Sequence, residues 1–269
     1  GINIEYKGLI VTSGFIGDQF YLDEFDNHLR VVLQQHNTLE TGNNKLEVYD
    51  LNQYANDGTI KKVASLDNGI GKTGEQIKSV RFDDYSCLIV TYLIIDPLYY
   101  IDLTNQLKPK ITGEYEEPGY NTYLHYINEN YAIGFGIDKG YKLGLYKLEN
   151  QVPEKIDQID GYSSVSVVDN HKALYIEGEV FGFASSKNII ANDGNYYTND
   201  FIYMYEIYTI DYEGETPKLK LIKEFKLNSV YKYEKMIRIG SDYYLISQLN
   251  ISKLNSNFDI EEVIRYVNK

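Results

Sequence analysis

Polar and apolar residues alternate with period two along most of this chain. Where alternation stops, the apolar runs are short, as in Leu29-Arg30-Val31-Val32-Leu33 and Cys87-Leu88-Ile89-Val90. Period two puts successive side chains on opposite faces of a strand, and short apolar runs fit strands covered on both faces. Helical periodicity is weak almost everywhere. The pattern predicts an opening strand at Tyr6–Ile16, then four strands at Phe20–Leu22, Leu29–Leu33, Leu46–Tyr49 and Ile60–Ser65. A second set falls at Ser79–Phe82, Cys87–Leu93, Leu98–Asp102 and Ile111–Tyr115, and a third at Tyr123–Ile127, Tyr131–Ile137, Lys142–Tyr146 and Lys155–Ile159. The fourth set is Val165–Val168, Ala173–Ile176, Phe201–Ile210 and Lys218–Phe225, broken by a polar insert from Ala184 to Asn199. The last set is Tyr233–Ile239, Tyr243–Gln248, Ile251–Leu254 and Glu262–Tyr266.

One phrase recurs five times: a strand, a polar turn and a Lys- or Glu-bearing return strand. Anchored on Leu51, Leu103, Leu148, Ile210 and Leu254, the copies are 52, 45, 62 and 44 residues apart, the longest step holding the insert. All-strand repeats of about 40 to 50 residues are the mark of a β-propeller. The expected fold is therefore all-β, a propeller of five four-stranded blades. It is read as one domain over residues 1–269, because no Pro/Gly/Ser-rich linker interrupts the repeats. The leftover segment Tyr6–Thr12 is expected to join the C-terminal blade and close the ring, removing exposed edges. Addition to the first blade is the alternative.

Composition supports strands and narrows the partners. The chain has 28 Tyr and 10 Phe but no Trp and only 5 Pro, which suits half-buried pleated surfaces joined by Asn-Asp-Gly turns. A formal net charge of −13 argues against nucleic acid and against anionic lipid as partners. No run approaches the length of a membrane span, so no membrane insertion is expected. Cys87 is the only cysteine, which leaves no disulfide framework, and its apolar run reads as buried. The start at Gly1-Ile2-Asn3 carries no signal peptide and reads as trimmed, with Gly1 a tag remnant.

Several phrases carry a resemblance. Val90-Thr91-Tyr92 followed by Asp96-Pro97-Leu98-Tyr99-Tyr100-Ile101-Asp102-Leu103 and Lys108-Pro109-Lys110 is one. Pro118-Gly119-Tyr120-Asn121-Thr122-Tyr123-Leu124-His125 and Asn170-His171-Lys172-Ala173-Leu174 are others. Upstream stand Leu22-Asp23-Glu24-Phe25 with Leu29-Arg30-Val31, and Gly74-Glu75-Gln76-Ile77 with Ser79-Val80-Arg81-Phe82. In this order they resemble a bacterial and archaeal family of secreted proteins with a C-terminal β-propeller domain, distantly related to WD40 repeats. Asn170 departs from the Asp usual there. The resemblance implies a propeller fold and an extracellular or cell-surface location. It implies no catalytic residue.

Candidate chemistry is sparse. Asp23, Glu24 and Asp26 form the densest oxygen cluster and are candidate ligands for calcium, which takes about six to eight oxygens. No D-x-[DN]-x-[DN]-G spacing is present, and an extended strand sends Asp23 and Glu24 to opposite faces, so a solvated turn is the competing reading. No other cofactor is expected. His125 and His171 are candidate ligand-binding residues; the competing reading has each imidazole tie a strand to a neighbouring backbone group, as Asp-His pairs do in WD40 blades. Asp96 and Glu177 are candidate carboxylates, since glycosidases need a pair about 5 to 10 Å apart. The Asp96-Pro97 step serves equally as a turn device. Tyr196 and Tyr197 in the polar insert are candidates for stacking against a ligand. No G-x-S-x-G, P-loop, G-x-G-x-x-G or H-E-x-x-H motif is present. The expected role is therefore a secreted or cell-surface binding module for protein or glycan. The alternatives are a carbohydrate-active hydrolase and a purely structural module.

Overall fold

A computed structural model of the chain describes residues 4, 6–35, 44–72, 74–93, 96–189, 200–227 and 234–266. These residues form five antiparallel sheets in chain order. The first runs β1 (Leu22–Phe25), β2 (His28–Leu33), β3 (Asn44–Tyr54), β4 (Ile60–Ile70). The second runs β5 (Gln76–Asp83), β6 (Ser86–Tyr92), β7 (Asp96–Asp102), β8 (Lys110–Glu117). The third holds β9 (Tyr120–Asn128), β10 (Tyr131–Ile137), β11 (Tyr141–Lys147) and β12 (Glu154–Tyr162).

The fourth sheet has a divided first position. Both β13 (Ser164–Val165) and β14 (Tyr175–Glu177) pair with β15 (Val180–Ile189), followed by β16 (Asp200–Asp211) and β17 (Lys218–Leu227). Between the two pieces lie the short helix α1 (Ser166–Asp169) and a 3-10 turn at His171–Ala173. The fifth sheet is β18 (Lys235–Ile239), β19 (Asp242–Ile246), β20 (Asn250–Leu254) and β21 (Ile260–Arg265). Among the described residues no helix is long and apolar enough to cross a membrane.

Contacts group the chain into two compact units. One holds Gly1–Tyr126 with Lys147–Glu154, the other Ile127–Tyr146 with Lys155–Lys269. In the first unit the apolar faces of the first and second sheets pack together through Val32, Leu46, Val48, Val80, Ile89 and Ile101. Val31, Leu33, Tyr49 and Ile60 form a second cluster with Ile10. Burial on both faces explains why Val31-Val32-Leu33 reads as a continuous run. Cys87 lies in the first cluster, and burial pushes its thiol well above the ordinary range. In the second unit Tyr205, Ile207, Phe225, Met236, Leu245 and Leu254 form the core of the fourth and fifth sheets.

Three expectations are corrected. The segment Tyr6–Ile16 is not a strand; it lies along the first sheet, and the fifth sheet contains only β18 to β21 among the described residues. Ile60 N–H donates to Leu9 O at 2.8 Å, Tyr54 Oη to Lys7 O at 2.7 Å, and Phe15 forms a single bridge with Gln34. Glycines permit this close approach and break the strand. Gly8 takes φ +150°, and a Cβ on Gly14 would meet Gln34 O at 2.6 Å. Next, Phe20–Leu22 is mostly a 3-10 turn: Asp18 caps it by accepting from Phe20 N–H at 2.8 Å, and β1 begins at Leu22.

Finally, Ala184–Ile189 belongs to β15 and not to the insert. The polar Ser185 and Ser186 are buried there because each hydroxyl has a partner, Glu206 at 2.5 Å and Ser164 Oγ at 2.8 Å. The remainder of the insert, residues 190–199 with Tyr196 and Tyr197, lies outside the described residues.

A turn packed on the second sheet gives a first prediction. A Cβ on Gly113 of β8 would meet Gln151 O at 2.5 Å, Val152 Cα at 2.6 Å and Pro153 Cδ at 2.8 Å. Backbone cannot yield as a side-chain tip can. Gly113→Ala is expected to destabilise by about 1–3 kcal/mol, read as a lower urea midpoint at unchanged slope. An unchanged midpoint would mean that the 149–153 turn is not held against β8.

Candidate functional site

The predicted residues scatter, and most are spent on structure. Asp26 and Asn27 take φ of +50° and +58°, so the oxygen-rich stretch is a two-residue hairpin turn between β1 and β2. Glu24 accepts from Asn27 N–H at 3.2 Å, and Asp23 is paired with Arg30. Asp23, Glu24 and Asp26 do not converge, and among the described residues no three His, Cys, Asp or Glu side chains gather as a metal site requires.

Glu177, at the end of β14, is paired with Arg238 and accepts from Tyr175 Oη. Arg238 in turn sits over the Tyr243 ring, 5.6 Å from its centroid. Asp96 opens β7 opposite Glu117, and its side chain lies outside the described residues. The ladder between β6 and β7 ends at Leu98, so the missing N–H of Pro97 interrupts no bond to β6. His171 sits in the 3-10 turn whose cap is Asn170, which accepts from Lys172 N–H at 3.1 Å.

His125 is the predicted residue that the fold places in a distinctive setting. It lies on β9, with Nδ1 3.0 Å from Arg81 Nη2 and 3.3 Å from Tyr123 Oη. Burial first, and the Arg81 charge second, lower its pKa to about 4. The ring is therefore neutral near pH 7. With Arg81 a donor only, Nδ1 is the acceptor and the ring proton is assigned to Nε2. The partner is thus a guanidinium on β5, where the sequence reading expected a backbone group.

Aromatic rings flank Arg81, and a second cation on β5, Lys78, is flanked in the same way. Arg81 Cζ lies 5.3 Å from the Phe20 ring centroid and 5.9 Å from that of Tyr123. Phe20 and Tyr123 meet edge to face at 5.6 Å. Lys78 Nζ stands 5.8 Å from both the Tyr92 and Tyr120 ring centroids, and those rings are 4.7 Å apart.

Local sequence explains the assembly. A β-bulge between Ile77 and Ser79 adds one residue to β5, which breaks strict alternation at Lys78. The Asp18-capped turn presents Phe20, and Tyr21 Oη donates to Ile77 O at 3.3 Å to hold that turn on β5. Gly119, at φ +80°, makes the sharp entry into β9 that sets Tyr120 beside Tyr92. Among the described residues neither Lys78 nor Arg81 has a carboxylate partner; their polar contacts are Gln76 Oε1 at 3.5 Å and His125. Each of these cations thus stands against two aromatic rings and without a carboxylate, a setting that can hold an anion.

Five antiparallel sheets of this size, met in chain order, define the β-propeller class. Residues 1–257 match the Beta propeller domain family, and the chain belongs to it. An uncharacterised protein of Archaeoglobus fulgidus is 30% identical over 262 residues, covering 95% of this chain and 36% of that protein. An uncharacterised protein of Methanocaldococcus jannaschii is 35% identical over 171 residues, covering 62% and 26%. The chain therefore spans 36% and 26% of the length of these curated relatives.

Two solved structures are similar at lower identity. A putative 6-phosphogluconolactonase from Bacteroides uniformis has a TM-score of 0.49 at 11% identity, over 91% of this chain and 70% of that one. The Cps50 (Swd1) β-propeller domain of Myceliophteria thermophila has a TM-score of 0.39 at 9% identity, over 96% and 89%. Neither likeness bears on activity.

Proposed function

We propose that this propeller is a binding module whose ligand is an acidic protein segment, held at Lys78, Arg81 and the rings around them. One observation carries the reading. In a chain of net charge −13, these two cations have no carboxylate of their own among the described residues. A carboxylate ligand would supply it, and Arg81 can grip one in forked geometry. Protein is favoured over glycan because cations already cover the ring faces that a sugar would stack on. A hydrolase would need paired carboxylates, and this group holds none. The proposed setting is extracellular or the cell surface, on the resemblance to secreted proteins; fractionation of the source cells tests it.

The binding experiment uses a fluorescent poly-L-glutamate peptide, titrated at low and moderate salt. The parent is expected to bind and to weaken as salt rises. K78Q/R81Q is expected to bind at least tenfold more weakly. Equal affinity of parent and variant would remove the site from the reading. Tighter binding of polygalacturonate than of the peptide would move the ligand class to acidic glycan.

A further inference from the structure

A second site lies in the other unit and carries the opposite charge. Glu234 stands one residue before β18 and is 4% exposed. Its own backbone N–H lies against the carboxylate, and among the described residues no cation meets it. It opens on a cavity of about 350 Å³, walled by β17, β19, β20 and β21. Phe225, Leu227 and Leu245 give this cavity an apolar body.

Two hydroxyls beside them are placed to accept. Ser252 Oγ has committed its proton to Asn250 Oδ1 at 3.3 Å, and Ser247 Oγ has committed its own to Asn250 O at 3.1 Å. The other charged residues lining the cavity are Glu224 and Lys226, both exposed on β17. A buried carboxylate without a counter-ion is costly, and this one faces space that a ligand can fill.

We propose that this cavity binds a primary or secondary ammonium group carried on a short apolar body about the size of a lysine side chain, with Glu234 as its counter-ion. The apolar walls take the body, and the carboxylate and Ser252 Oγ accept from the N–H groups. The inference is independent of the site at Lys78 and Arg81. Burial raises the pKa of Glu234 to about 7, so the empty site is half protonated at neutral pH. An ammonium requires the carboxylate form, and binding therefore releases a proton. Affinity should rise with pH up to and through the raised pKa. Glu224 adds to the attraction and Lys226 opposes it.

The test is calorimetric titration with benzylamine, an ammonium throughout, at pH 6 and pH 8. About tenfold tighter binding at pH 8 is expected, from the fraction of Glu234 that is ionised at each pH. Benzyl alcohol, which has the same body and no charge, should bind at least tenfold more weakly than benzylamine at pH 8. E234Q should lose both the benzylamine binding and the pH dependence.

Stability gives a check that needs no ligand. A carboxyl whose folded pKa lies above its unfolded value contributes stability that is lost as pH rises through the folded pKa. The melting temperature of the parent should therefore fall behind that of E234Q between pH 5 and pH 8. A flat or falling pH profile, equal affinity for benzyl alcohol, or undiminished binding by E234Q would overturn the proposal. If E234Q does not fold, the pH step and the alcohol comparison in the parent protein decide alone.

Discussion

Arg30→Ala is expected to destabilise the first unit by about 3–5 kcal/mol, the cost of breaking a buried charge pair. Arg30, at 1% exposure, is among the largest fully buried side chains of the described residues. Its Nε donates to Asp23 Oδ2 at 2.9 Å, and Nη2 pairs with the same oxygen. Nη1 donates to Asp84 O at 2.7 Å, in the turn between β5 and β6, and Nη2 to Asp83 O at 3.1 Å, at the end of β5. The guanidinium plane lies between Phe25 and Phe82, at 5.2 and 5.1 Å from their centroids. One side chain thus ties the second strand of the first sheet to a turn of the second.

Alanine would leave a cavity, two carbonyls and a carboxylate without their donor. Lysine, a single point charge, cannot reproduce the fork and should recover only part of the loss. Asp23→Asn should cost much less than Arg30→Ala, because Asp23 is 31% exposed and solvent screens it. Urea denaturation of the three variants checks the order. If Arg30→Ala unfolds at the parent's midpoint, the pair is not a fastening.

Glu206→Ala should cost about 2–4 kcal/mol in the second unit. Glu206 is 1% exposed on β16. Ser185 Oγ donates to it at 2.5 Å, Tyr208 Oη at 2.9 Å, and Lys187 Nζ lies 3.6 Å away. Tyr208 Oη also meets Tyr162 Oη at 3.2 Å, so removal of the acid unsettles three hydroxyls. Glu206→Gln retains one acceptor and turns an NH2 toward the other donor, for an expected loss of about 1–2 kcal/mol. Tyr208→Phe added to Glu206→Ala should cost less than the sum of the two, because the stranded donor is then gone. Strict additivity of the two changes would show that the hydrogen bond carries no coupling.

The first sheet repeats this device: Glu47 accepts from Tyr49 Oη at 2.5 Å and pairs with Lys62 at 2.9 Å. Period two shows why the pair recurs, since Glu and Tyr two apart share a face. The sequence displays Glu47-Val48-Tyr49 and Glu206-Ile207-Tyr208 plainly, yet propensity alone reads each Glu as an exposed position. The signal was an acid set inside an apolar run. Arg30, between Leu29 and Val31, carries the same signal.

Strand positions were legible where side chains alternate, and illegible where backbone geometry intervenes. The bulge at Lys78 and the divided strand at β13 and β14 leave no mark in hydropathy. His125 was visible as a candidate, but its partner Arg81 lies 44 residues away and meets it only through the packing of two sheets. Ser185 and Ser186 look like loop until their partners on other strands are known.

The course of the N-terminal segment along the first sheet bears on how the chain folds as it is made. Leu9 is bonded to Ile60, Lys7 to Tyr54 and Phe15 to Gln34. All of these partners lie no further along the chain than β4 and so emerge before any later sheet. The first sheet and its covering segment can therefore assemble early, and each later sheet is built from the residues that emerge next. A strand lent to the fifth sheet would instead have to wait, unpaired and sticky, until β18 to β21 had emerged.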